Sequence, residues 1–203
     1  MKLNLSGLVI VSLLVGLTKF VNADPYTYSF ARAKGTQIVD ESGDVLYLKG
    51  ISFGNRVWSG DRIPTSHHSA QDYLRVRAMG MNLVRFYINY KTLESDDKPY
   101  SYRDDGWQWL DKNVEWARAA GVYLIFNLHI PQGGFQSQGR GWDLWQKPEL
   151  QSRAIALWRA IASRYENEPV ILGYDLLNEP GVPQNKKQWQ QLAQKKGERD
   201  SQS

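Results

Sequence analysis

From residue 48 onward, short apolar runs alternate with longer stretches of helical period. Residues 48–53, 82–87, 122–129 and 171–177 have the length and composition of strands. The run 122–129 is apolar on both faces for most of its length, the pattern of a strand in a parallel sheet covered by helices. Between these runs the period changes to 3.6. Ser69 caps a helix through Met79, with Tyr73, Leu74 and Ala78 on one face, and Gly80 ends it. Asp104 or Asp105 caps a second helix to Ala120, with Leu110, Val114 and Ala117 at helical spacing and Gly121 at its end. The third helix, from about Glu149 to Tyr165, has the strongest rhythm: Leu150, Ala154, Leu157, Trp158, Ile161, Ala162 and Tyr165. An amphipathic piece at 186–194 follows the fourth strand. Ahead of the first, 36–39 and 45–48 flank a turn in which Gly43 supplies the positive φ, which predicts a hairpin.

Strand then helix, four times over, predicts an α/β fold of TIM-barrel type. About four of the eight β/α units are present, preceded by the short β-hairpin. The helices end in short Gly-marked turns or tight loops. The long loops, 53–68 and 131–147, follow strands instead. That asymmetry places the functional loops at the C-terminal face of the sheet. The stretch 171–180 fits this plan best. It begins as an apolar strand and delivers Asn178 and Glu179, stopped by Pro180. Pro180 pushes Glu179 toward an extended backbone, so that the acid caps the strand.

Residues 1–23 read as a targeting segment, not as part of the fold. Lys2 is followed by a short apolar run at 8–17, and Val21-Asn22-Ala23 fits a signal-peptidase site. The expectation is cleavage after Ala23 and a secreted or periplasmic protein. A retained N-terminal anchor is the alternative. The remaining domains are 24–194, the barrel portion, and a polar tail at 195–203. The 203 residues are 42% hydrophobic and 23% charged, a globular composition with ample core material. With no cysteine, thiol nucleophiles, disulfides and cysteine metal clusters are excluded. The net charge of +4 falls to +2 once Lys2 and Lys19 are removed. Much of the excess lies in the tail, which argues against a nucleic-acid partner. His67, His68 and His129 lack metal-ligand spacing, and the glycines at 133–141 lack the context of a phosphate loop. No metal or other cofactor is expected.

Polar residues inside or at the end of apolar strands are the candidates for chemistry: Arg85, Asn127 with His129, and Asn178 with Glu179. Each has a bland reading too. Arg85 fits a structural ion pair, and His129 a satisfied core histidine. Their origin on different strands that converge at one rim favours a site. Aromatic residues in or beside the loops suit sugar rings, whose C–H faces pack on them. Trp58, Tyr87, Tyr90, Phe135, Trp142 and Trp145 are the candidates, about half of them assigned to the core. Trp107, Trp116 and Trp158 lie on helices and read as packing.

With those residues in view, the sequence resembles glycoside hydrolase family 5, the cellulase-type family of retaining (β/α)8 enzymes. Leu48-Lys49-Gly50-Ile51-Ser52 is similar to the family's first strand, and Gly80-Met81-Asn82-Leu83-Val84-Arg85 to its second. Asn127-Leu128-His129 is similar to the third, and Leu177-Asn178-Glu179-Pro180 to the fourth. The resemblance covers about residues 30–194. It implies hydrolysis of β-linked polysaccharide with retention, by two carboxylates roughly 5 Å apart. Glu179 takes the acid/base position. Asn178 holds the sugar 2-hydroxyl, and Arg85 and His129 position the nucleophile. Trp58, Tyr87, Tyr90, Trp142 and Trp145 are the candidate substrate-binding aromatics.

The family's nucleophile lies at the end of the seventh strand, and this chain carries four. Glu198 is the only glutamate after Glu179, and it stands in the polar tail. No nucleophile is therefore assigned. The expectation is a secreted glycoside hydrolase truncated before its nucleophile, inactive alone. Its two open strand edges are expected to promote edge-to-edge self-association. The alternative is a non-catalytic secreted carbohydrate-binding remnant. The partner in either case is a β-linked glycan.

Overall fold

The computed structural model describes residues 26–137, 140–183, 185 and 187–197. The signal segment and residues 198–203 of the tail lie outside this range. The elements, in order, are strands β1 (Arg32–Lys34), β2 (Gln37–Val39) and β3 (Gly50–Phe53), helix α1 (Ala70–Ala78) and strand β4 (Leu83–Asn89). Helix α2 (Asp104–Ala120), strand β5 (Tyr123–Ile130), helices α3 (Asp143–Gln146) and α4 (Pro148–Arg164), strand β6 (Ile171–Asp175) and helix α5 (Lys187–Gly197) complete them. The four strands β3-β4-β5-β6 form one parallel sheet in sequence order. This is a run of β/α units of TIM-barrel type, and the strand–helix alternation predicts it.

The core fixes which strand face looks where. In β4 burial alternates strictly, with Val84, Phe86 and Ile88 buried and Leu83, Arg85, Tyr87 and Asn89 partly open. Val84, Phe86, Leu124, Phe126 and Leu128 form one core with Leu110, Val114 and Ala117 of α2 and Leu157, Trp158 and Ile161 of α4. The helical residues are those that the 3.6 period singles out. A second cluster holds Leu144, Trp145, Ala154, Leu177 and Leu192.

Helix ends follow their chemistry. The Ser69 N–H and hydroxyl both donate to Asp72 at 2.9 and 3.0 Å, which satisfies the start of α1. Gly121 ends α2 at φ +74°, the left-handed cap that a glycine adopts without strain. The Tyr28 hydroxyl then donates to the Ala117 and Arg118 carbonyls, at 3.2 and 3.0 Å, and covers that helix end.

Three local expectations are corrected. The hairpin pairs β1 with β2, two residues apart. The predicted partner at 45–48 makes only a single bridge, Val39 to Val45. Its register is set by Gly35, which takes the positive φ of the tighter turn. The buried face of α1 is Tyr73 and Val76, while Leu74 is 46% exposed. Spacing alone does not say which stripe meets α2. The last helix runs to Gly197, three residues into the stretch read as tail.

Candidate active site

Parallel register carries the polar residues to one rim. Tyr87 pairs with Asn127, and Asn127 with Asp175, so three strands place these residues on one rung. Two residues below Tyr87, Arg85 sends its guanidinium along the open face of the sheet. Its Nε and Nη2 donate to Asp175 Oδ2 at 2.9 and 2.6 Å. Nη2 also donates to Asn178 Oδ1 at 3.0 Å, and Nη1 to the Tyr87 hydroxyl at 3.0 Å. A charged group in an apolar strand requires such partners. Arg85 is thus ion-paired, as its bland reading expects, and stands beside Tyr87 and Asn178 at the rim.

A bulge aims His129. Ile88 pairs with Leu128, but Asn89 pairs with Ile130, which leaves His129 as the extra residue of β5. Its ring stacks on Tyr87 with centroids 3.9 Å apart and planes 14° apart. His129 Nδ1 lies 2.9 Å from Asn127 Oδ1. An amide oxygen only accepts, so Nδ1 carries the proton and Nε2 presents a lone pair. Burial, with the nearby Arg85 cation second, lowers the His129 pKa to about 4; Glu179 and Asp175 oppose the shift. The imidazole is neutral over the physiological range.

Beyond β6 the chain is held at two points on its approach to Glu179. The Trp158 indole donates to the Leu176 carbonyl at 2.9 Å. The Asn178 N–H donates to the Leu128 carbonyl at 3.1 Å, and its side chain is buried under Arg85. Glu179 then projects into solvent with φ +43°. This corrects the extended backbone expected before Pro180. The turn comes directly after Asn178 is tied to the Leu128 carbonyl, and it carries the Glu179 carboxylate to the Ser137 hydroxyl. Such a backbone costs about 1–3 kcal/mol and persists where its surroundings over-determine it. The Ser137 hydroxyl donates to Glu179 Oε2. Ser137 sits in a loop anchored by buried Gln136, whose amide donates to the Gly134 and Gly141 carbonyls.

The aromatic candidates divide. Trp58 is 60% exposed and stands edge-on to His129 at 5.0 Å, with Tyr87 and Phe135 each 6.3 Å away. Trp58 and Phe135 also line a cleft of about 750 Å³ that extends past Asp61, Lys91 and Arg103. Trp142 is exposed beside α3, and among the described residues it makes no ring contact with this group. Tyr90 and Trp145 lie apart from the group. Tyr90 is in the main core with its hydroxyl on Asp96 at 2.7 Å. Trp145 is in the second cluster, donating to Gln136 Oε1 at 2.8 Å.

The chain's likeness to known proteins agrees with this geometry. Residues 39–198 match the family profile described as Cellulase (glycosyl hydrolase family 5). The chain belongs to glycosyl hydrolase family 5. An endoglucanase of Paenibacillus polymyxa is 33% identical over 93% of this chain and 52% of its own length. Endoglucanase C of Acetivibrio thermocellus is 28% identical over 73% of this chain and 44% of its own. The chain thus spans about half the length of the curated relatives it matches. Among solved structures, endo-glycoceramidase II from Rhodococcus sp. superposes with a TM-score of 0.63 at 21% identity. That match covers 78% of this chain and 47% of that one. At that identity the likeness concerns the fold.

In this family 5 chain, sequence reasoning missed Asp175 and Ser137. Asp175 had a signal: a buried-strand arginine requires a carboxylate, and Asp175 is the acid within the apolar run 171–177, two strands away from Arg85. Ser137 had none, because only the loop's tertiary path brings it to Glu179.

Proposed function

We propose that this chain carries the acid/base side of a retaining β-glycosidase that acts on a β-linked polysaccharide. The observation that carries this is Glu179, projecting from the C-terminal rim of β6 beside Asn178, Arg85 and His129. In a retaining reaction one carboxylic acid protonates the departing glycosidic oxygen while a second carboxylate attacks the anomeric carbon. Water then displaces the enzyme from the sugar, activated by the first residue acting as base. Glu179 takes the first role. It is exposed and reachable by a polymer. Asn178, fixed by Arg85 through its oxygen, turns its amide N–H groups toward the sugar's 2-hydroxyl. The neutral His129 accepts a hydrogen bond from a sugar hydroxyl at Nε2. Trp58 offers an apolar ring to a sugar face, and the neighbouring cleft is in the size range of ligand pockets.

The nucleophile lies roughly 5 Å from the acid/base in a retaining site. In this reading it comes from the family's seventh-strand position, and residues 24–194 alone do not hydrolyse glycosides. The test is a hybrid barrel in which residues 24–194 are joined to the C-terminal half of the Paenibacillus polymyxa endoglucanase. Reducing-sugar release from β-glucans and mannans is measured with Glu179 and with Glu179→Gln. The substitution is expected to lower turnover by about 10²–10⁴-fold, most for substrates with poor leaving groups. Activity within a few-fold of the parent would remove Glu179 from the role. Glycan binding without turnover in every form would favour a non-catalytic carbohydrate-binding protein.

The secretory signal at residues 1–23 belongs to the same reading, because a polysaccharide is met outside the cell. Terminal sequencing of exported protein should begin at Asp24, and a start at Met1 would refute cleavage.

A further inference from the structure

The loop that follows β3, residues 54–62, carries Trp58 to the rim, and two side-chain amides tie it to β4. Asn55 Nδ2 donates to the Tyr87 carbonyl at 2.7 Å. In the reverse direction, Asn89 Nδ2 donates to the Val57 carbonyl at 3.0 Å. Both bonds hold the loop just ahead of Trp58, at Asn55 and Val57, against Tyr87 and Asn89 of β4. Between them the backbone is wound tightly. Asn55 and Arg56 are both left-handed, at φ +50° and +47°. Asparagine tolerates that region and arginine does not favour it, so the surroundings hold the turn. The Ser59 hydroxyl closes the loop's far side by donating to the Arg56 carbonyl at 2.8 Å.

We infer that Asn55 and Asn89 are positioning residues for glycan binding: a two-amide staple that presents Trp58, pre-set against His129, to a sugar ring. This rests on the glycan reading proposed above and adds the residues that set its affinity. The physical reason is the cost of ordering. An exposed tryptophan on a free loop must be immobilised when a sugar stacks on it, and a stapled one is immobilised beforehand. The edge-on contact with His129 at 5.0 Å and 88° records that arrangement without ligand.

Asn89 offers a discriminating substitution. Its Oδ1 accepts from the Lys91 N–H at 3.0 Å and caps the short turn at Tyr90–Thr92, while its Nδ2 makes the staple. Asn89→Asp keeps the acceptor and removes the donor. Asn55→Gly removes the other amide while leaving a residue that accepts a positive φ. Each variant is made in the hybrid barrel described above, where the sheet is closed, and is read in two ways. The first is the indole N–H resonance of Trp58 in a nitrogen–proton spectrum, assigned by its loss in Trp58→Phe. The second is affinity electrophoresis against soluble β-glucan and glucomannan. Both substitutions are expected to shift the indole resonance and to weaken glycan binding roughly three- to tenfold. Thermal melting should fall by only a few degrees in Asn89→Asp, the cost of one lost hydrogen bond. An unmoved indole resonance with unchanged affinity in both variants would overturn the staple. If the unsubstituted hybrid binds neither polysaccharide, the glycan reading falls, and the indole resonance alone then decides the staple.

Discussion

At the scale of single residues, charge placement decides the site. Among the described residues Arg85 has one carboxylate partner, Asp175, reached by two nitrogens, and the same fork reaches Asn178. An ammonium is a point donor and cannot reproduce that planar geometry. In the hybrid barrel, Arg85→Lys and Asp175→Asn should each lower kcat/KM by about 10–100-fold, a loss of about 1.5–3 kcal/mol. Steady-state kinetics check this, and unchanged values with lysine would confine Arg85 to structure. His129 gives a pH prediction. Its folded pKa of about 4 lies below the ordinary 6.5, so the fold favours the neutral ring. The unfolded chain binds more protons between those values, and stability is lost as pH falls through that window. At most about 3 kcal/mol is at stake. Burial also depresses His67 and His68, which adds to the loss in the same direction. Denaturant melts at pH 7 and pH 4.5 should show lower stability at the acid end, and His129→Gln should flatten the difference.

At the scale of elements, close approaches matter more than propensity. Gly106 lies in the first turn of α2, packed on the turn after β4. A Cβ there would stand 2.1 Å from the Thr92 carbonyl oxygen, a contact that backbone movement must relieve. Gly106→Ala removes a poor helix former from a helix, so propensity alone predicts stabilisation. The packing predicts the reverse, a loss of about 1–3 kcal/mol. For a chain of this size that is a melting temperature lower by about 3–10 °C, measurable by circular dichroism. A higher melting temperature would show that the helix shifts freely against the turn.

At the scale of the whole molecule, the sheet is open among the described residues. β3 and β6 each have a strand on one side only. Ile51 of β3 is 41% exposed, and no proline blocks either strand. Unpaired edges with apolar side chains invite pairing with another copy. Exposed area of a few hundred Å² costs several kcal/mol at about 25 cal/mol per Å², comparable with the stability of a domain. Residues 24–203 are therefore expected to elute from a sizing column as oligomers or aggregate. A monodisperse monomer with a sharp unfolding transition would refute this.

The sequence by itself determined the strand–helix order, the parallel sheet and the rim residues Arg85, Asn127, His129, Asn178 and Glu179. Each is a polar group standing against an apolar background, and that contrast is visible in one dimension. It also held the helix stops at Gly80 and Gly121, where local backbone chemistry suffices. Only the tertiary structure decided which aromatics face the site. Trp58 and Trp145 both fall in stretches that read as loops in the sequence, yet one stands over His129 and the other is buried in α3 on Gln136. Burial depends on where a segment meets the rest of the molecule, and composition does not encode that meeting. The left-handed turn at Glu179 has the same origin. Proline chemistry predicts an extended residue, and the structure has a left-handed one where the Asn178 N–H meets Leu128 and the Glu179 carboxylate meets Ser137.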